Sequence, residues 1–289
     1  MFAKVLVPLD GSLESVAALP LAQTMLGTTA GELVLVRVPD RATAGHLDSH
    51  ACESYLNQVA GDLSVAGGPA RVTTCVLSGT PDQAIVDAVS SLGADLVVMA
   101  THGRGELGRL LFGSTAECVV GHSPVPVLVV RPGARQVTHV RTLLVPLDGS
   151  PGGRRALAAA TRLARQHGAR LELITVILAM PGYLKQPLPG VDLGPVIAPA
   201  WNSACQEAAD VLQRTAERLR RHGIEASAQA VIGEPTREIV RAAELTEADL
   251  VVMSTHALAG PARSLLGSVA ASVVREAGRP VLLVRRSGR

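Results

Sequence analysis

The sequence predicts an α/β protein of two tandem, doubly wound (Rossmann-like) domains, each with a five-stranded parallel sheet. Three observations predict this class: the chain length, an internal repeat, and the alternation of short apolar runs with longer amphipathic segments. At 289 residues the chain is long enough for about two domains of ~150 residues. With 47% hydrophobic and 18% charged residues, its composition is that of a globular protein with a buried core.

The internal repeat consists of matching blocks that occur twice in the same order. The blocks are Val-Pro-Leu-Asp-Gly-Ser at 7–12 and 145–150, Ala-Asp-Leu-Val-Val-Met at 94–99 and 248–253, and Leu-Leu-Phe-Gly-Ser at 110–114, echoed by Ser-Leu-Leu-Gly-Ser at 264–268. Ordered matches of this length indicate two copies of one domain. The second copy is longer than the first, and the Pro- and Gly-rich stretch 181–199 accounts for the difference. This stretch belongs to an insertion at 178–201, whose role stays open.

The domain boundary is predicted in a polar segment that lies between two apolar runs. Pro132 and Gly133 begin this segment, and both residue types are common in turns and linkers. We therefore expect a first domain at 1–132, a linker at 133–140 and a second domain at 141–289.

Short β-branched runs predict the strands of the first copy. They lie near 4–9, 32–38, 71–77, 95–100 and 126–131. Two of these strands are almost entirely apolar, as expected when helices cover both faces of a parallel sheet. The longer amphipathic segments between the strands predict the connecting helices.

Capping residues predict where several helices begin. Ser12 marks the start of the helix after the first strand, and its equivalent Ser150 precedes Pro151, which suits the first helical position. Capping boxes are predicted at 80–83 (Thr-Pro-Asp-Gln) and at 114–117 (Ser-Thr-Ala-Glu).

Two segments follow the carboxyl ends of predicted strands, where open parallel sheets bind their ligands. The first is Asp-Gly-Ser at 10–12, and the second runs from 100 to 115 with four glycines between 103 and 113. Glycines let the backbone approach a ligand closely, and the segment ends at a predicted helix N-terminus, which attracts anions. The sequence therefore predicts an anion site built from amides, from the hydroxyls of Ser114 and Thr115 and from a divalent ion, with Arg104 or Arg109 as open additions.

The composition excludes several kinds of partner and site. Only Lys4 and Lys185 are lysines, so a phosphate loop with a Gly-Lys-Ser/Thr triplet is absent. A net charge of +2 and an aromatic content of 2% predict no nucleic-acid or membrane-surface binding.

Cysteine usage and hydropathy predict a cytoplasmic protein. The four cysteines are scattered without a C-x-x-C spacing, so neither a zinc site nor a disulfide framework is expected. No apolar stretch reaches the ~18 residues of a membrane helix, and the N-terminus has no signal-peptide pattern.

The segment after the fourth strand resembles the nucleotide motif of the universal stress proteins, in their tandem form with two domains in one chain. The ATP-binding members of that family carry Gly-x-x-Gly, nine residues, and then Gly-Ser/Thr. Here 100–103 are Ala-Thr-His-Gly, nine residues follow, and Gly113-Ser114 complete the motif, so only the first glycine is replaced. The resemblance covers nearly all of both copies and implies the strand order 3-2-1-4-5 in each domain.

The resemblance also implies an adenine-nucleotide site in the first domain. Asp10 would lie beside the adenosine, and Val38 would offer backbone groups to the adenine. The candidate residues are Pro8, Asp10, Gly11, Ser12, Val38, Ala100, His102, Gly103, Arg104, Gly113, Ser114 and Thr115. The implied ligand is ATP, ADP or AMP with magnesium, and the preference among these nucleotides stays open.

The second copy departs further from the motif. Positions 254–257 are Ser-Thr-His-Ala, so that Ala257 stands in the place of Gly103. The added Cβ either strains the turn by ~1 kcal/mol or more, or fills space that the ligand needs. The candidates for this weaker site are Asp148, Val176, Gly267 and Ser268.

Three functions are considered. The first is a cytoplasmic stress-response regulator that binds ATP mainly in the first domain, with slow hydrolysis as an open addition. The second is an interaction scaffold whose domains pair within the chain through 125–131 and 280–285, with a homodimer as a further option. The third, an adenylyl-transfer enzyme, is disfavoured because its His-x-Gly-His or Ser-Gly-Gly-x-Asp-Ser loops and a paired acid and base are absent.

Several candidates also have purely structural interpretations. Asp10 and Asp148 can shape turns, and His102 is more typical of a hydrogen-bonded structural group than of a catalyst. Cys118 is either a small core residue or a thiol whose pKa is lowered near a helix N-terminus. The arginines between 214 and 221 predict the charged face of an ordinary surface helix.

Overall fold

The computed structural model describes residues 2–26, 31–39, 46–65, 71–101, 113–178, 194–255 and 266–285. Its strands are β1 (Lys4–Pro8), β2 (Glu32–Arg37), β3 (Arg71–Val76), β4 (Leu96–Ala100), β5 (Val127–Val130), β6 (Thr142–Pro146), β7 (Arg170–Leu178), β8 (Ala226–Gly233), β9 (Leu250–Thr255) and β10 (Val281–Arg285). Its helices are α1 (Leu13–Val16), α2 (Leu19–Met25), α3 (His46–Val65), α4 (Pro81–Ser91), α5 (Ser114–His122), α6 (Pro151–His167), α7 (Gly194–Arg221), α8 (Pro235–Leu245) and α9 (Ser268–Glu276). The predicted α/β class and the strands of the first copy are confirmed.

The strands of the described residues form one continuous sheet. Its order is β3-β2-β1-β4-β5-β10-β9-β6-β7-β8, so each repeat has the order 3-2-1-4-5 with parallel pairing. Each repeat has the expected five-stranded parallel sheet, and the two sheets join because β5 and β10 pair antiparallel, with Leu128 opposite Leu282. Each of these strands would otherwise leave an unpaired edge of N–H and C=O groups.

Each face of the sheet is covered by an apolar core that spans both repeats. Leu128 and Leu282 point to the face covered by α2, α3, α6 and α7. Their neighbours Val127 and Val281 point to the opposite face, which α4, α5, α8 and α9 cover. This alternation explains why the strands are apolar along their whole length.

The helix after the first strand begins as predicted but differs between the repeats. The Ser12 hydroxyl accepts a hydrogen bond from the Ser15 amide at 3.1 Å, and Ser150 caps α6 in the same way. In the first repeat the helix is interrupted, so that α1 has 4 residues and α2 follows. Pro20 explains the interruption, because its ring clashes with the carbonyl four residues earlier and it has no N–H.

The capping box predicted at 80–83 forms only in part. Thr80 is the N-cap of α4, but its side chain makes no capping hydrogen bond to the first turn. Its hydroxyl interacts instead with the Asp82 carboxylate, which is the main reason that the pKa of Asp82 is lowered.

The repeated aspartate of the Ala-Asp-Leu block holds neighbouring strands together at the amino-terminal edge of the sheet. Asp249 Oδ2 accepts hydrogen bonds from the amides of Arg141 at 2.8 Å and Thr142 at 3.0 Å. Asp95 accepts from the two amides that begin the first repeat's central strand, at 2.8 and 3.0 Å. This edge lies opposite the carboxyl ends of the strands, where ligands are expected, so the repeated aspartate has a structural role.

We expect Asp249→Ala to lower the free energy of unfolding by about 2–4 kcal/mol, because two amides lose a charged partner. Urea denaturation measures the effect. Asp249→Asn retains one acceptor oxygen and should cost less. Asp62→Ala, at an exposed position of α3, is the matched control, and equal losses in Asp249→Ala and Asp62→Ala would contradict the structural role.

Arginines at the end of the fifth strand of each repeat hold the last helix of the other repeat. Arg131, which follows β5, donates from its guanidinium to the Arg275 carbonyl in the last turn of α9. Arg285, which ends β10, donates from Nη1 to the carbonyl of His122, the last residue of α5, at 3.0 Å. A cation at the carboxyl end of a helix satisfies a free carbonyl and opposes the helix dipole.

Candidate functional site

The carboxyl ends of the second repeat's strands enclose a cavity of about 450 Å³. This volume lies within the range of small-molecule sites in proteins. The ends of β6, β7 and β9 and the first turns of α8 and α9 provide its walls. The four residues predicted for the second copy all line it: Asp148, Val176, Gly267 and Ser268.

One wall of the cavity is apolar and was missed by the sequence analysis. It is formed by Ile174, Pro235, Ile239 and Met253. A signal was available for two of these residues. Met253 ends a repeated block, and Pro235 begins its helix as Pro81 begins the equivalent helix of the first copy. Ile174 and Ile239 look like ordinary core residues in the sequence.

Asp148 is held at the rim of the cavity by the turn that follows β6. Its Oδ1 accepts a hydrogen bond from the Ser150 amide at 3.0 Å, and Gly149 has φ +75°, a conformation that favours glycine. A Cβ on Gly153 would lie 3.0 Å from Asp148 Oδ1, so glycine at this position lets α6 pack directly against the carboxylate. The turn-shaping role considered for Asp148 is therefore present alongside its position in the cavity.

The N-terminus of α9 opens into the cavity without a side-chain cap. Its N-cap is Gly267, with φ −57° and ψ 147°, and α5 begins in the same way after Gly113. By contrast, Ser150 and Glu234 cap α6 and α8 with their side chains. Among the described residues, the first amides of α9 therefore keep no side-chain cap, and they carry the positive end of the helix dipole.

The capping box predicted at 114–117 is wrong. Gly113 takes the N-cap position, so Ser114 is the first helical residue and not the cap. The physical reason is that Gly113 already has the extended backbone of an N-cap, which places Ser114 inside the first turn. Because Gly113 has no side chain, no N-cap side chain occupies the first amides of α5, and this favours anion binding more than a serine cap would.

The first repeat places its candidates at the same edge of the sheet. Pro8, Val38 and Ala100 lie at or just after the ends of β1, β2 and β4, and Ser114 and Thr115 begin α5. The loop that would close this site is not described, because His102, Gly103 and Arg104 lie outside the described residues. Which repeat binds more tightly stays a prediction.

The Asp10 turn has the same geometry as its counterpart in the second repeat. Asp10 Oδ1 accepts hydrogen bonds from the Ser12 amide at 2.9 Å and the Ser12 hydroxyl at 2.6 Å. Gly11 has φ +91°. A Cβ at Gly11 would lie 3.0 Å from Arg37 Nη2, so the guanidinium rests against this turn.

Cys118 lies on α5 but lacks the character of a reactive thiolate. Burial is the largest cause that raises the pKa of its thiol, and the negative charge of Asp82 adds to the effect. The interpretation as a small packed residue therefore holds, and the lowered pKa considered from the sequence is wrong.

The described ranges contain neither a cluster of metal ligands nor a helix that could span a membrane. There, no group of three or more His, Cys, Asp or Glu side chains converges as metal ligands do. None of the helices in that part of the chain has the length and apolar composition needed to cross a bilayer.

Comparison with known proteins gives consistent matches over both repeats. The model of the universal stress protein family matches residues 1–131 and 139–285. A universal stress protein of Mycolicibacterium smegmatis is 30% identical over 245 residues, covering 82% of this chain and 76% of that protein. One from Mycobacterium tuberculosis H37Rv is 32% identical over 196 residues, which are 67% of this chain and 63% of that protein.

Two solved structures share the fold over nearly the whole chain. A universal stress protein from Archaeoglobus fulgidus has a TM-score of 0.71 at 22% identity, covering 98% of this chain and 96% of that one. A putative universal stress protein from Pseudomonas aeruginosa has a TM-score of 0.69 at 20% identity, with coverages of 98% and 93%.

Proposed function

Because the chain belongs to the universal stress protein family, with one family domain in each repeat, we propose that it is a regulatory protein that binds an adenine nucleotide. The observation that carries the proposal is the cavity in the second repeat. It brings Asp148, Val176, Gly267 and Ser268 together at the ligand edge of the sheet. These are the positions at which the resemblance implies nucleotide contacts.

The chemistry of the cavity matches the parts of a nucleotide. The apolar wall of Ile174, Pro235, Ile239 and Met253 suits the faces of a purine ring. Backbone groups at Val176 would bind the adenine edge, and the Asp148 carboxylate would accept hydrogen bonds from ribose hydroxyls. The uncapped amides of α9 would hold phosphate oxygens.

Magnesium and the hydrolysis of ATP belong to the same proposal. A bound Mg²⁺ would neutralise phosphate charge, because the binding loop supplies no lysine. Nothing in the described cavity resembles a paired general acid and base, so we expect turnover to be slow.

We further propose that the first repeat binds nucleotide more tightly than the second. In the sequence, Gly103 stands where the second copy has Ala257, and an added Cβ would take space that the ligand needs or would strain a turn that requires glycine. A regulatory role then requires that the nucleotide prefer one of two conformations. The four cysteines are all unpaired, in keeping with the reducing cytoplasm that we propose as its location.

Native mass spectrometry of the gently purified protein tests the proposal. We expect one or two adenine nucleotides per chain, and calorimetric heat when ATP and magnesium are added to stripped protein. The proposal fails if no nucleotide is released on denaturation and no heat is observed. Turnover faster than about one per second would instead support the enzyme alternative.

The scaffold alternative is supported by one observation, the pairing of β5 with β10 inside the chain. This pairing uses the strands through which the resemblance implies dimerisation. A homodimer would therefore have to form through other surfaces. The scaffold and the nucleotide-binding role are compatible, since neither Leu128 nor Leu282 of this junction lines the cavity of the second repeat.

A further inference from the structure

A second cavity, of about 810 Å³, lies on the other side of the Asp148 turn, between α6 and α7. We call it the arginine groove. Its floor includes Leu147, Leu157 and Leu212, and four arginines line it: Arg154 on α6, and Arg214, Arg218 and Arg221 on α7. Two carboxylates, Asp148 and Glu207, also line it, so cations are in excess.

Among the residues that the structure describes, Arg214, Arg218 and Arg221 do not form the ion pairs that their spacing suggests. Asp210 and Arg214, like Glu217 and Arg221, are four residues apart and could pair on the helix surface. Within the described part of the chain, no carboxylate lies within 4.0 Å of Arg214, Arg218 or Arg221.

Hydrogen bonds direct three neighbouring side chains, those of Asp210, Arg220 and Arg154. The Asp210 carboxylate accepts from the Gln206 amide at 2.9 Å. Arg220, by contrast, turns away from the groove and donates to the Ala226 carbonyl at 2.6 Å. Arg154 has one weak contact, from Nη1 to the Gly149 carbonyl at 3.4 Å. The sequence analysis assigned these arginines of α7 to the charged face of an ordinary surface helix. In the structure, Arg214, Arg218 and Arg221 line one side of the arginine groove.

The first repeat fills the corresponding space with its own side chains. The strand registers align Arg37 with Thr175, and the Arg37 guanidinium lies 4.7 Å from the centre of the Tyr55 ring. The buried Leu56 of α3 aligns with the buried Leu212 of α7, so Tyr55 aligns with Val211. In this alignment Gln58 and Asp62 take the places of Arg214 and Arg218. The fold itself therefore requires neither the groove nor its charge.

We propose that the arginine groove binds a small organic phosphate, with its phosphate groups on the arginines and its apolar part on the leucine floor. The guanidinium fork matches phosphate oxygens in pairs. Four guanidinium groups from two helices favour a ligand with several negative charges over a single carboxylate. The volume is within the range of small-molecule sites.

This site is separate from the nucleotide cavity, although both share Leu147 and Asp148 as a common wall. The inference therefore does not depend on the proposed function. A charge introduced at Gly267 should abolish binding in the nucleotide cavity and leave the groove intact, so the two proposals can fail independently.

Binding of 1-naphthyl phosphate, followed by its fluorescence, and of inorganic triphosphate, followed by calorimetry, tests the proposal on the full chain at fixed ionic strength. Arg214→Gln/Arg218→Gln should weaken both at least tenfold while leaving the affinity of ATP for the nucleotide cavities, its tighter sites, unchanged. The matched control is Arg155→Gln/Arg165→Gln, which removes the same charge from exposed positions of α6 outside the groove. Naphthyl phosphate should also bind more tightly than inorganic phosphate, because of the leucine floor.

Three results would overturn the proposal. Equal losses in both double variants would mean that only the overall charge attracts the probes. A parallel loss of ATP affinity in the groove variant would make the groove an extension of the nucleotide cavity. Binding of an acidic peptide without binding of either phosphate probe would assign the groove to a protein partner.

Discussion

Replacing Gly267 with aspartate is expected to weaken nucleotide binding in the second repeat about 100-fold or more, without loss of the fold. Gly267 is the N-cap of α9, with φ −57° and ψ 147°, a backbone that any residue adopts. Aspartate is a favoured N-cap, so its carboxylate would take the first-turn amides and stabilise the helix. The same carboxylate would place a negative charge where the phosphates are proposed to lie, at a cost of several kcal/mol.

The matched variant is Gly113→Asp, at the equivalent N-cap of α5, with φ −59° and ψ 143°. If the first repeat binds more tightly, Gly113→Asp removes most of the ATP binding and Gly267→Asp removes a smaller part. Calorimetry gives the stoichiometry and affinity, and thermal melting verifies the fold. A folded double variant that binds ATP like the unmodified protein would show that the phosphates do not lie at these helix ends.

Leu282→Asp is expected to prevent stable folding. Leu282 and Leu128 face each other at the junction of the two repeats, and both are fully buried. The substitution removes a buried leucine, worth about 2–5 kcal/mol, and adds a buried polar group without a partner, which costs about as much again. The sum is comparable to the whole stability of a typical domain, ~5–15 kcal/mol.

Circular dichroism and urea denaturation measure this loss. Leu13→Asp is the control, because Leu13 is 87% exposed and begins α1, where an acidic residue suits the helix dipole. We expect it to change stability by less than about 0.5 kcal/mol. A Leu282→Asp protein that unfolds at the same urea concentration as Leu13→Asp would contradict the junction described above.

The elements of the fold could be predicted because local patterns determine them. The apolar runs and the repeated blocks place the strands, and Ser12 and Ser150 mark helix starts by their own chemistry. The joining of β5 to β10 could not be derived from periodicity, because pairing between two edges depends on tertiary arrangement. The break after α1 was foreseeable, since Pro20 lies inside the predicted helix.

The candidate site could be predicted only where a residue type is unusual for its position. Glycines and the Asp-Gly-Ser turns stand out after a strand, and they led to Asp148 and Gly267. Ile174 and Ile239 could not be distinguished from core residues, because the sequence does not show that a cavity opens beside them. The arginines of α7 were assigned to a solvated face, since helical spacing alone does not reveal a groove opposite.

The crossed arginines at the junction have a mechanical consequence. The helix α5 begins at the candidate anion site of its own repeat and ends against Arg285 of the other, and α9 does the reverse with Arg131. Each helix thus contacts both repeats, one at its first residue and the other at its last turn. A shift of either helix along its axis would therefore break its hydrogen bond to the arginine of the other repeat.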